Sequence, residues 1–206
     1  MSNKKYPTSS NLYKDNEAKS VKFINDIRKL FSISSEEEKI IFDALRFRLY
    51  EKGYIITDTT EIFKNHFFIV KGVARTYYIE NGKEYNYSFS FDDEFIMIPY
   101  TESQRGLNVF VQFLEDTEVC FTSTNNRQKL PSLANEKFHH FVETALVNQI
   151  KYMESMMIML RMEAKDRYKW VMKKHPRILE SVSLTPLASF LNITKETLYR
   201  IRSGKY

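Results

Sequence analysis

Apolar positions change their spacing along the chain, and each change predicts a different kind of element. Val21, Ile24, Ile27 and Phe31 recur at three- and four-residue steps, the period of an amphipathic helix. Ser34 or Ser35 caps a second predicted helix. Glu36, Glu37 and Glu38 fill its first turn, where carboxylates suit the helix dipole, and Ile40, Ile41, Ala44 and Leu45 form its apolar side. From about Arg46 to Thr124, β-branched and aromatic residues dominate. His66–Ile79 reads as a strand and Glu80-Asn81-Gly82-Lys83 as a tight turn, because Asn-Gly tolerates positive φ at both central positions. Glu84–Phe91 alternates Tyr85, Tyr87, Phe89 and Phe91 with polar neighbours, and Asn108–Leu114 and Glu118–Ser123 follow. Short strands without intervening helices predict an antiparallel sandwich or barrel.

Beyond Asn125 the helical period returns, with Pro131 at a boundary. Asn135 to Arg161 contains no Pro or Gly and predicts one amphipathic helix of about 27 residues, spanning about 40 Å. That length suits a dimer seam, for which Phe141, Leu146, Ile150, Met153, Met156, Met157 and Leu160 are the candidate residues; packing against its own domain is the alternative. The methionines of this stretch suit gap-filling core positions and an adaptable interface alike. A basic helix is predicted over Glu163–His175, ended by Pro176, and a short one over Arg177–Val182.

In the last stretch, Thr185 is expected to N-cap a helix with Pro186 at its first position, and Leu187, Ala188 and Leu191 make its inner face. Asn192 stands where the chain must turn, with Ile193 as the buried turn residue. Thr194 caps a second helix whose inner face is Leu198 and Ile201. This is a helix-turn-helix pattern. Its outward residues are Lys195, Glu196, Tyr199, Arg200 and Arg202, with Thr197 near the helix start. Arg and Glu have the hydrogen-bonding shape to read guanine and cytosine, and Thr197, Tyr199 and Arg202 to reach phosphates. A mere packing element is the competing reading.

Composition narrows the field. The 206 residues are 43% hydrophobic, which excludes global disorder. Only 5 glycines are present, and no Gly-rich phosphate loop occurs. One cysteine, Cys120, excludes a disulfide framework and a cysteine zinc or iron–sulfur cluster within the chain. No apolar run reaches membrane-spanning length and Met1–Ser20 is a polar extension without a signal-peptide pattern, so a cytoplasmic protein is expected, with no membrane partner. Residues 161–206 hold 11 Lys+Arg against 4 Asp+Glu, net +7, whereas residues 1–160 hold 20 against 22, net −2. The C-terminal part is therefore the one suited to a polyanion.

Together these features resemble the Crp/Fnr family of bacterial transcription regulators over about residues 21–206. Phe67-Phe-Ile-Val-Lys-Gly72-Val resembles the family's strand-then-glycine segment. Phe91-Asp-Asp-Glu-Phe95 stands where the family has a Gly-Glu pair. Ala164-Lys-Asp-Arg-Tyr168-Lys-Trp-Val resembles a segment after the dimer helix in Bacteroidetes members, and Thr185–Arg202 is the most specific match. The resemblance implies an α+β chain. A flexible extension (1–20) precedes an antiparallel, jelly-roll-like β-roll of the cyclic-nucleotide-binding type (21–134). A dimerisation helix (135–161) and a helix-turn-helix DNA-binding domain (162–206) follow. It implies a homodimer on an inverted-repeat operator in double-stranded DNA, not an enzyme. RNA polymerase is a further candidate partner. Thr185, Thr194, Lys195, Glu196, Thr197, Tyr199, Arg200 and Arg202 make the DNA-binding set, with Lys195, Glu196 and Arg200 on base-reading positions.

The effector pocket, by the same resemblance, is Asp93, Glu94, Arg105, Leu107 and Asn108. It departs from the family pattern: Asp93 replaces the glycine, Glu94 keeps the acid, and Leu107 stands where an arginine would pair with a cyclic phosphate, a task leucine cannot perform. Family-type cyclic AMP binding is not expected. A different small-molecule effector, or none, is, and no cofactor is assigned. Two other readings compete. In one, a ligand-sensing module signals to a protein partner instead of DNA. In the other, the chain is a small-barrel metalloenzyme. For the latter His66, His139, His140 and His175 are poorly spaced, so no metal site is expected.

Overall fold

The computed structural model describes residues 13–14, 34–37, 45–99, 105–123 and 136–206. The helix expected from Val21 and the Pro131 boundary lie outside them. At Ser34 the expected cap is a reciprocal box: the Glu37 amide donates to the Ser34 hydroxyl at 3.3 Å, and the Ser34 amide donates to the Glu37 carboxylate at 2.6 Å. The rest of that helix, beyond Glu37, is also outside the described residues.

The chain divides into two units, Met1–Leu133 and Ala134–Tyr206. The first holds eight described strands: β1 (Tyr13–Lys14), β2 (Arg46–Tyr50), β3 (Ile55–Ile56), β4 (Asn65–Lys71), β5 (Ala74–Glu80), β6 (Lys83–Ser90), β7 (Asn108–Phe113) and β8 (Thr117–Ser123). They form two four-stranded sheets, β1-β2-β8-β4 and β3-β7-β5-β6, every neighbouring pair antiparallel. Tyr13–Lys14, inside the segment read as an extension, pairs with Leu49 and Tyr50. Val109, Val111 and Phe113 of β7 point inward by the two-residue period, and Phe67 and Ile69 of β4 do the same, all 1% exposed or less. Val111, Phe113, Phe67 and Ile69 meet Tyr50, Ile56, Ile62 and Val119 in one core, where the Tyr50 and Phe113 rings stack at 4.1 Å. Each such side chain contributes about 1.5–3 kcal/mol on burial.

Two sequence expectations are corrected here. His66–Ile79 is not one strand. It breaks at Gly72, whose φ of +126° only glycine adopts without strain, and β4 and β5 enter different sheets. A Cβ at Gly72 would lie 2.5 Å from Thr117 Oγ1 and 2.7 Å from Thr117 Cα, so the break is also a close crossing of two backbones. The strands are also not free of helices: α1 (Thr59–Lys64) intervenes, with the Asp58 carboxylate accepting from the Thr60 amide at 2.8 Å. The β5–β6 turn is as expected, with Asn81 at φ +51° and Gly82 at +74°.

The second unit contains α2 (Glu136–Leu160), α3 (Ala164–Lys174), α4 (Ile178–Ser181), α5 (Leu184–Phe190) and α6 (Lys195–Arg202). α3 packs against α2 and α6, and α5 against α6. Val171, Ile178, Leu187, Leu191 and Leu198 are fully buried and form the interior of this unit.

Candidate nucleic-acid interface

α5 and α6 meet through a turn that local chemistry fixes at both ends. Asn192 adopts φ +52°. Its amide donates to the Ser189 carbonyl at 3.1 Å, and the Ile193 amide donates to the Ala188 carbonyl at 3.0 Å. This is the paired closure of a Schellman turn. The Thr194 hydroxyl then accepts from the Thr197 amide at 3.1 Å and lies 3.1 Å from the Thr197 hydroxyl. Glycine closes the far end of α6: the Gly204 amide donates to the Ile201 carbonyl at 3.3 Å and the Lys205 amide to the Arg200 carbonyl at 2.9 Å. Leu187, Ala188 and Leu191 of the first helix are buried, as are Leu198 and Ile201 of the second.

One detail differs from expectation. Ser183, not Thr185, is the N-cap residue of α5, so Pro186 is the third helical residue instead of the first. The proline is still accommodated, because the first four helical amides have no intrahelical acceptor to lose. Thr185 is exposed on the first turn, and Ile193 is only partly buried.

The outward face of α6 carries Lys195, Glu196, Tyr199, Arg200 and Arg202, all exposed, with Thr197 half-exposed. Tyr199 is 64% exposed, an unusual position for a large aromatic side chain. Glu196's carboxylate is held below its usual range by its own backbone N–H and then by the Thr194 hydroxyl. It is thus an ionised acceptor at the start of the helix. The Arg200 guanidinium lies 5.9 Å from the centre of the Tyr206 ring, a partner the sequence pattern did not single out because it lies outside the helix.

On α2, Val147, Ile150, Met153, Met157, Ile158 and Leu160 are exposed large apolar residues. Ile150, Met153, Met157 and Leu160 follow a three–four–three spacing, and Leu146 extends it backwards by four. That is the spacing of the a and d positions of a heptad repeat. Met156 is half-buried and Met159 fully buried, so the methionines divide between the seam and the interior. The side chains of Phe141 and Leu146, and those of His139 and His140, lie outside what the structure describes.

In the first unit, the segment carrying the expected effector residues is laced to β4. The Asp93 amide donates to the Ile69 carbonyl at 2.9 Å, the Ile69 amide to the Glu94 carbonyl at 2.9 Å, and the Ile96 amide to the Phe67 carbonyl at 2.9 Å. Asp93 stands at φ +64°, a left-handed conformation that favours glycine, the residue the resemblance expects there. Asp92 accepts from the Gly72 amide at 2.6 Å, and the Glu94 carboxylate accepts from the Phe91 amide at 3.0 Å, closing its own turn. Arg105, the one basic residue between Phe91 and Asn108, binds Glu80 at 2.6 Å. Leu107 is half-buried and Asn108 exposed at the start of β7. The structure thus brings Asp93 and Glu94 together, and it ties Arg105 to the β5–β6 hairpin. Among the described residues, no group of three His, Cys, Asp or Glu side chains is arranged to hold a metal ion. No helix among them is long and apolar enough to cross a membrane.

No protein-family model matches the chain, and no curated protein matches it in sequence. Solved structures do match its fold. A cyclic nucleotide-binding domain containing protein from Listeria monocytogenes aligns with a TM-score of 0.61 at 13% identity, over 90% of this chain and 89% of its own. FixK2 from Bradyrhizobium japonicum aligns at 0.60 and 16% identity, over 78% and 83%. A Crp/Fnr-family transcriptional regulator from Eubacterium rectale aligns at 0.59 and 15% identity, over 84% and 83%. The chain has the fold of the Crp/Fnr regulators, antiparallel sheets followed by C-terminal helices, and the resemblance read from its residues extends to structure.

Proposed function

We propose that this chain is a homodimeric, sequence-specific DNA-binding transcription regulator of the Crp/Fnr type, acting in the cytoplasm on an inverted-repeat operator. The observation that carries the reading is the α5–α6 pair. Its turn is closed by Asn192 and Thr194, its inner face is buried, and its outer face holds Lys195, Glu196, Tyr199, Arg200 and Arg202 exposed. A helix held this way can enter a major groove with its N-terminal residues against the base edges. The apolar seam on α2 suits a second copy of the chain, which would set two such helices about one DNA turn apart, about 34 Å. Fold likeness to the Crp/Fnr-family transcriptional regulator from Eubacterium rectale supports this assignment over an enzyme.

The β-roll does not take cyclic AMP in the family's manner. Glu94 is occupied in closing its turn, Arg105 in binding Glu80, and Leu107 brings no charge to a phosphate.

The test is selection of genomic fragments by the purified chain at moderate salt, with and without cyclic AMP. Recovery of an inverted repeat without nucleotide is expected. Recovery only with cyclic AMP overturns the reading of the β-roll. No enrichment in either case, with a protein partner captured instead, overturns DNA as the target. Arg200→Ala is expected to weaken binding to the selected site by about 1–3 kcal/mol, if that guanidinium pairs with a guanine.

A further inference from the structure

The positive charge of the C-terminal unit is not where the reading helix is. Residues 161–177 hold 7 Lys+Arg against 2 Asp+Glu, a net +5, whereas residues 178–206, which include both α5 and α6, hold 4 against 2, a net +2. Most of the excess therefore lies on α3 and its two ends. The basic residues there are not scattered. Lys165, Lys169 and Lys173 stand four residues apart and are all exposed, while Ala164 and Val171 on the other side of the helix are buried. Each four-residue step rises about 6 Å, so the row is about 12 Å long.

We propose that this lysine row is a sequence-independent strip for the phosphates of duplex DNA beside the operator half-site, an inference that rests on the DNA-binding reading above. Three observations support it. First, α3 packs against α6, so the helix that carries the row is a direct neighbour of the reading helix, with axes about 8–10 Å apart. Second, one DNA strand carries a phosphate every 3.4 Å of axis, so a row of about 12 Å faces three or four of them. Third, the residues are lysines. An ammonium on a flexible stem meets a phosphate as a point charge and needs no fixed geometry, unlike the guanidinium forks of Arg200 and Arg202 on α6. The acidic neighbour does not block this. Lys169 pairs with Asp166 at 3.2 Å, but both side chains are more than half exposed, so the pair is weak and exchangeable.

The strip would supply affinity and salt dependence, and α6 would supply selectivity. The experiment uses the full chain on two probes, a duplex with the selected inverted repeat and a random-sequence duplex, each titrated across a range of KCl. The variant is Lys165→Gln/Lys169→Gln/Lys173→Gln, beside its counterpart with arginine at all three positions. On both duplexes the glutamine variant is expected to lower the slope of log affinity against log salt by about 0.9 for each phosphate no longer neutralised, up to about 5 for the six lysines of a dimer. The ratio of the two affinities should stay constant, and the arginine variant should restore the slope. An unchanged slope in the glutamine variant overturns the strip. A slope that falls together with the affinity ratio, with no recovery in the arginine variant, overturns its sequence independence. A wild-type chain that binds neither duplex at any salt overturns the DNA-binding reading itself and the strip with it.

Discussion

His175 makes the stability of the C-terminal unit depend on pH in a direction that can be worked out beforehand. It follows the last turn of α3, is 7% exposed, and its amide donates to the Val171 carbonyl at 2.8 Å. Burial, and then the charge of Lys174, lower its pKa to about 4 from the ordinary 6.5. The unfolded chain takes up the proton near pH 6.5, and the folded chain refuses it until about 4. Between those values the unfolded state holds more protons, so stability falls as pH falls. From pH 7 to pH 5 the linked loss is about 2 kcal/mol. Trp170, the single tryptophan, lies on α3, so its fluorescence in urea reports on this unit. The urea midpoint is expected to be lower at pH 5 than at pH 7, and His175→Gln is expected to remove most of that difference. Equal midpoints in the wild-type chain, or an undiminished difference in His175→Gln, would refute the reasoning. Glu61 in the other unit works in the opposite sense: burial raises its pKa, so acidification favours its folded state and cannot mimic the effect.

Three further outcomes follow from local geometry. Gly72→Ala forces a side chain against the Thr117 backbone at an unfavourable φ and should cost about 3 kcal/mol or more in urea unfolding of the β-roll. Gly82→Ala, in open space, should cost about 1–2 kcal/mol, so equal costs would refute the crossing argument. Asn192→Gly should leave stability within about 0.5 kcal/mol and Asn192→Ala should lower it by about 1 kcal/mol, read by the same tryptophan signal. Ile150→Glu/Met157→Glu places charges on the α2 seam and should yield a monomer in sedimentation equilibrium. A variant that stays dimeric would move the interface elsewhere.

What the sequence disclosed depended on how local the cause was. Asn81-Gly82 announced its turn because two residues suffice to set it. Thr194, Leu198 and Ile201 announced α6 for the same reason: a cap and a helical period act within one element. The residue pattern ran a strand through Gly72 although the resemblance marked a glycine there, because the cause of the break is Thr117, 45 residues on. α1 was missed because six residues hardly develop a period, although Asp58 carried a cap signal. At the candidate sites the limit was similar. Leu107 was visible as a missing charge, but the binding of Arg105 to Glu80 across 25 residues was not. The charge of residues 161–206 was counted as one sum, although the basic helix predicted over Glu163–His175 already marked where much of it lies.

The caps around α6 have a consequence for how such a protein can change. Asn192, Thr194 and Gly204 settle the helix ends through backbone bonds and one hydroxyl, and Leu198 and Ile201 settle its seat. Of the outward residues, Lys195, Tyr199, Arg200 and Arg202 supply no side chain to those closures. On the DNA-binding reading proposed above, specificity and architecture are written in largely separate alphabets within the same eight residues of α6. A drifting promoter could be followed by exchanging the outward letters alone, and a laboratory graft could re-address the protein by the same substitutions without rebuilding the domain.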